Sequence, residues 1–216
     1  MSWRLVEGVP LPDAVGGHPA LDFCNTRAGW GDLRPKEYLT DPRVLALWAR
    51  HSGLTDAAGA EQPPERPAGR PTATAAADLA AATAWTRALA LRGALYACAL
   101  GNGSPTDWAL VAAEAADARA RGRLVGRDGE PARWVPLAPH RPAAGALWVV
   151  AMAAEDLLTS PLAPFVAACP GTGCGWVFAD RRRKRRWCSM AACGNRAKVR
   201  RYAQRHGAGA TVDGEV

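Results

Sequence analysis

Cys169-Pro170-Gly171-Thr172-Gly173-Cys174 and, after thirteen intervening residues, Cys188-Ser189-Met190-Ala191-Ala192-Cys193 are the stretch on which the fold of this chain turns. Each cysteine pair encloses four residues, so each forms a tight chelating turn, and two such turns brought together close a tetrahedral four-thiolate zinc site. Buried free thiols are the alternative, but they give no reason for the paired spacing. A closed shell of four sulfurs keeps no position for water, which argues against hydrolytic metal chemistry.

Between the pairs runs Arg181-Arg182-Arg183-Lys184-Arg185-Arg186, and after them come Arg196, Lys198, Arg200, Arg201 and Arg205. Residues 169–207 hold 11 Lys and Arg against one Asp, a charge of +10, whereas residues 1–168 hold 16 against 17. The basic balance belongs to one short module, whose field attracts a polyanion. A solvated loop offsetting the charge of a zinc–thiolate centre would need two cations, not six. These eleven side chains are therefore the candidate nucleic-acid contacts, with arginine forks suited to phosphate oxygens.

Trp176, Val177 and Phe178 read as a strand, Asp180 to Arg186 as a turn, and Trp187 as the return of a hairpin toward the metal, where it would cover the site. Gly194 permits a turn, and Asn195 is placed to cap a helix from about Arg196 to His206. Val199, Tyr202, Ala203 and His206 recur at helical spacing and are expected to pack on the hairpin, with the arginines facing out. Knuckle, hairpin, knuckle and helix is the plan of a treble-clef finger.

Upstream, the 216 residues leave room for one medium domain, and 49% are apolar, enough for a core. Arg4 to Val9 reads as a strand, and Gly16 to Thr26 as a turn leading into a packed segment. Asp41-Pro42 starts a helix with Val44, Leu45, Leu47 and Trp48 inward and Gly53 as its stop. Residues 59–73, rich in Pro and Gly, read as a mobile loop. Thr74 to Leu100 reads as a core helix including Leu79 and Trp85, and Ser104 to Asp107 as a capping box for the next helix. Asp128-Gly129 joins a hairpin, and Pro142 to Ser160 carries a helical apolar stripe. Pro161 and Pro164 then mark a hinge to the metal module. The expected fold class is α+β: a mostly helical domain over 1–163 with a small antiparallel sheet, a zinc module over 164–207 and a disordered tail over 208–216.

His18, Asp22 and Asn25 could line a small ligand pocket, although hydrogen bonds that fix the turn are the favoured reading. Cys24 and Cys98 read as small packed hydrophobes, and the remaining tryptophans as core or interface anchors. No nucleophile–base pair, phosphate-binding glycine loop or cofactor fingerprint is present, so no enzyme is expected. Nor is there a run of 18 uncharged apolar residues or a signal-peptide pattern, and the expected address is the cytoplasm, with no membrane partner.

Cys174-Gly175-Trp176-Val177-Phe178, Arg186-Trp187-Cys188 and Cys193-Gly194-Asn195-Arg196 resemble the Cys-Gly-Asn-Arg (CGNR) zinc finger of bacterial transcription regulators. Gly17-His18-Pro19-Ala20-Leu21-Asp22-Phe23, with Trp30 beyond, resembles the start of the ABATE domain that precedes this finger in stress-induced regulators. The resemblance implies one structural Zn2+ on Cys169, Cys174, Cys188 and Cys193, and contact with double-stranded DNA. One departure stands out: six consecutive cations occupy a turn where a more polar Ser- and Asn-containing segment is expected, favouring phosphate contact over base reading. The resulting expectation is a DNA-binding regulator whose helical domain senses an effector or oligomerises, with a homodimer as the candidate assembly. RNA or an acidic protein is the alternative partner.

Overall fold

The computed structural model describes residues 2–55, 71–127, 129–137 and 142–207. The expected loop is outside the described residues over 59–70, as is the 208–216 tail. The observed class is α+β, mostly helical, and among the described residues the strands form four separate two-stranded antiparallel sheets rather than one.

Trp3–Val6 (β1) pairs with Val9–Pro12 (β2), joined through Glu7 and Gly8, which both have positive φ and make the tight turn a hairpin requires. The expected strand at Arg4 is thus half of a hairpin. A short helix, Pro19–Cys24 (α1), follows, then Arg27–Ala28 (β3) paired with Lys36–Glu37 (β4). Pro42–His51 (α2) starts as expected, with Asp41 accepting the Arg43 and Val44 N–H groups. Its apolar side is buried, and Gly53 at φ +69° turns the chain away.

Pro71–Ala99 (α3) is longer than the composition suggested. Proline at the first helical position lacks only an N–H that would have no intrahelical acceptor, so residues 71–73 continue the helix. Residues 75–80 extend beyond the core, and Leu79, expected inside, is 71% exposed. The capping box at Ser104 and Asp107 forms and starts Pro105–Ala120 (α4). Of Trp108, Val111, Ala112 and Ala115, which recur at helical spacing and are expected on the buried side of that helix, Val111 and Ala115 do face inward, with Ala118, whereas Trp108 and Ala112 are exposed. Gly122–Arg127 (β5) and Glu130–Pro136 (β6) form the expected hairpin.

Pro142–Thr159 (α5) is the axis of the domain, packed against α2, α3 and α4. It is long and apolar enough by composition to cross a membrane, but most of its residues are buried within the protein, and this accounts for its apolar character. Beyond it come a 3-10 turn, Ala163–Phe165, and the strand Val166–Ala168 (β7), which pairs with Val177–Ala179 (β8). A wide helical turn, Met190–Gly194, leads directly into Asn195–Gly207 (α6).

Two expectations about this module are corrected. The hairpin forms between β7 and β8, with the first cysteine pair as its loop, and the cationic segment after Asp180 makes no strand. Nor is there a hinge after Pro161 and Pro164. Val177 belongs to the helical domain's own core, while Trp176 and Phe178 pack with Ala28, Tyr38 and the four cysteines. Alternation along β8 therefore sends neighbouring side chains into two different cores.

Candidate metal centre and cationic surface

The β7–β8 turn presents Cys169 and Cys174, and the segment ending in the Met190–Gly194 turn presents Cys188 and Cys193. All four are buried, and their sulfurs lie within 4.8 Å of one another. Cys174 Sγ is 3.7 Å from Cys188 Sγ, which is 3.6 Å from Cys193 Sγ. A tetrahedron with metal–sulfur bonds of 2.3 Å sets its sulfurs about 3.8 Å apart, so the donor set fits zinc in both chemistry and spacing. No other group of three or more His, Cys, Asp or Glu side chains with this geometry occurs among the described residues.

Crowded thiols cannot all ionise unaided. Hydrogen bonds from Cys174 and Cys188 push the Cys169 thiol down to about 2, while sharing its proton with Cys169 pushes Cys174 up to about 12. A bound dication removes this competition and holds all four as thiolates. Arg196 adds a fixed positive charge: its Nη2 lies 2.9 Å from Cys193 Sγ, and this bond raises the guanidinium pKa further. Arg196, expected to face outward, is exposed, and its place three residues after Cys193 on a helical path also lets its guanidinium reach back to the sulfur.

Asn195 does not cap α6. Its φ and ψ are helical and its Nδ2 donates to the Ala191 carbonyl, because the chain is already helical when it arrives, with Gly194 N–H bonded to Ser189 O at 3.1 Å. Trp187 is half-buried against the cysteine cluster, as expected.

The eleven cations divide by use. Arg185 donates through Nη2 to the Val15 carbonyl at 2.8 Å and to the Cys188 carbonyl, and lies over the Phe178 ring. Arg183, in a left-handed conformation at φ +50°, reaches the Pro164 carbonyl and the Phe165 ring. Arg200 Nη1 donates to Thr172 Oγ1 at 2.7 Å, fixing α6 to the first knuckle. These three, like Arg196, hold the module together. Arg181, Arg182, Lys184, Arg186, Lys198, Arg201 and Arg205 are exposed and have no carboxylate partner among the described residues. Asp180, the one acid in the module, accepts the backbone N–H groups of Arg182 and Arg185, which lowers its pKa and shapes the turn.

His18, Asp22 and Asn25 make hydrogen bonds of the kind the favoured reading gives them. His18 Nδ1 accepts the Ala20 N–H and its Nε2 meets Asp156 Oδ2 at 3.0 Å. Asp22 Oδ1 accepts the N–H groups of Val15 and Gly16. Asn25, fully buried, accepts the Val177 N–H and donates to the Val177 carbonyl. All three side chains are thus engaged in hydrogen bonds that hold the chain.

Other contacts at the junction were not legible in the sequence. Tyr96 Oη donates to the Gly175 carbonyl and its ring stacks on Trp30 at 3.8 Å, while Trp176 Nε1 donates to the Arg27 carbonyl. Arg92, buried, pairs with both Glu37 carboxylate oxygens and donates to Thr26 Oγ1 at 2.8 Å. Nothing about a lone Arg in an Ala-rich helix distinguishes it beforehand.

Fold and cysteine geometry define a helical domain fused to a structural zinc finger. The chain belongs to the ABATE family, described as "Putative stress-induced transcription regulator", whose family model matches residues 17–161, and the CGNR zinc finger model matches residues 166–206. No curated protein matches the chain.

Proposed function

We propose that the chain is a DNA-binding transcription regulator of the cytoplasm and not an enzyme. In this reading the zinc finger supplies the nucleic-acid contacts, and the helical domain responds to an effector or oligomerises. The observation that carries it is the exposed cationic surface of the finger, on which seven side chains have no carboxylate partner among the described residues while Arg183, Arg185, Arg196 and Arg200, also exposed, are bonded within the protein. Such a surface neutralises phosphates and releases their counterions. The saturated four-sulfur shell supports a structural metal, since a catalytic one keeps an open position.

If all seven contact phosphates, log K falls with log salt at a slope of about −6 on duplex DNA. Titration of a labelled duplex at several salt concentrations, with single-stranded RNA and an acidic polymer as competitors, tests this. Absent or salt-independent binding removes the proposal, and stronger competition by RNA or the acidic polymer reassigns the partner.

A further inference from the structure

Helix α6 carries a face that the fold leaves bare. From Lys198 to His206 every residue is exposed, including Val199 at 68% and Tyr202 at 67%. The apolar stripe at these positions, which the spacing alone sends onto the hairpin, is left exposed instead. At 100° per residue, Arg196 and Arg200 point toward the knuckle, where their bonds to Cys193 and Thr172 lie, and Lys198, Tyr202 and Arg205 point the opposite way. Lys198, Arg201, Tyr202, Arg205 and His206 share one shallow depression, and the Tyr202 and His206 rings touch at 4.2 Å. No acidic residue occurs anywhere on α6.

The geometry points to α6 as the element that enters the major groove of B-form DNA, with Lys198, Arg201 and Arg205 on the phosphates and Val199 and Tyr202 against base edges. This rests on the DNA-binding reading above. Charge selects the occupant: a second copy of the same face would set cations against cations, whereas a polyanionic groove complements them. Shape narrows it further. A helix about 10–12 Å across fits a groove about 12 Å wide, and the deep, narrow major groove of A-form RNA does not admit it. Valine contacts thymine methyl groups and a tyrosine hydroxyl can both donate to and accept from base edges, which gives an exposed apolar stripe a use that solubility does not.

Dimethyl sulfate protection of a mixed-sequence DNA duplex by the zinc-loaded full chain reads the groove directly, since it modifies guanine N7 in the major groove and adenine N3 in the minor. Protection at guanine N7 is expected, with a same-sequence RNA duplex bound much more weakly. The double variant V199A/Y202A, with zinc content and melting temperature as controls, is expected to bind DNA about tenfold more weakly at an unchanged salt slope. The variant R201Q/R205Q is expected to flatten that slope by about two. Protection confined to adenine N3, equal affinity for the RNA duplex, or full affinity in V199A/Y202A overturns the inference while leaving DNA binding intact. Loss of all salt-dependent DNA binding by the unaltered protein overturns both.

Discussion

Asn25 places both ends of its side-chain amide on the backbone of Val177, accepting at 2.8 Å and donating at 2.9 Å across 152 residues of sequence. The amide thus completes an edge of β8 as a neighbouring strand would, and it ties the end of α1 to a strand of the zinc module.

Replacing Asn25 by leucine leaves a buried N–H and a buried carbonyl without partners, at about 1–3 kcal/mol each. The expected loss is about 2–5 kcal/mol in urea denaturation. Asn25→Asp is expected to fare little better, because an ionised carboxylate cannot donate to the Val177 carbonyl. A change below about 0.5 kcal/mol in both contradicts the role assigned to this amide.

Zinc content is expected to be one per chain, and Cys188→Ser or Cys193→Ser to abolish it, checked by elemental analysis. Loss of zinc is also expected to destabilise the helical domain, since Val177 lies in that domain's core and is positioned by the knuckle. This differs from the sequence-based expectation of independent units. Calorimetry with and without chelator separates the two: one transition shifting downward follows from the shared strand, and an unchanged transition of the helical domain rules it out.

Gly175 has φ +65°, and a Cβ there would come within 2.7 Å of Trp30 Cβ. Gly31 has φ +86° with open space around it. Gly175→Ala therefore carries both backbone strain and a clash, and Gly31→Ala only the strain, of about 1–2 kcal/mol. Thermal melts of both variants should show the Gly175 change to be the more costly by at least about 1 kcal/mol.

Two neighbouring cations are expected to fail in different assays. Arg185→Ala removes the bonds to the Val15 and Cys188 carbonyls and lowers the melting temperature. Lys184→Ala leaves the melting temperature unchanged and reduces the salt slope of DNA binding by about 0.9. Identical effects in both assays would mean that the division of the basic run by use is wrong.

Burial raises the pKa of Asp22 above the ordinary aspartate value, against the lowering effect of the Gly16 and Val15 N–H groups. The folded chain therefore holds this proton more tightly than the unfolded one. The stability so gained is full below about pH 3.9 and is lost as pH rises through the raised folded value. Asn in its place keeps an acceptor for both N–H groups without the buried charge. Asp22→Asn is expected to gain stability relative to the unaltered protein as pH rises from 4 to about 7, measured by denaturation at each pH.

The sequence made legible whatever depends on local rules. Paired spacing at Cys169/Cys174 and Cys188/Cys193, the Asp41-Pro42 and Ser104–Asp107 helix starts, and the pairing of β5 with β6 all follow from chemistry within a few residues, although Asp128 itself lies outside the described residues. What it hid depends on partners far away. Val199 and Tyr202 have the periodicity of a buried stripe, and nothing nearby reveals that α6 leaves the body of the protein. Asn25 looks like a turn residue until Val177 is beside it. The basic run reads as uniform, and only the fold distinguishes Arg185, turned back onto two carbonyls, from Lys184, left in water.

Because β8 sends Trp176 and Phe178 one way and Val177 the other, the finger cannot travel as a detachable cassette. Grafted onto a foreign protein it would expose the apolar back of that strand, and the donor would be left with a hole where Val177 had been. A substitution on either side of that strand is therefore felt by both halves.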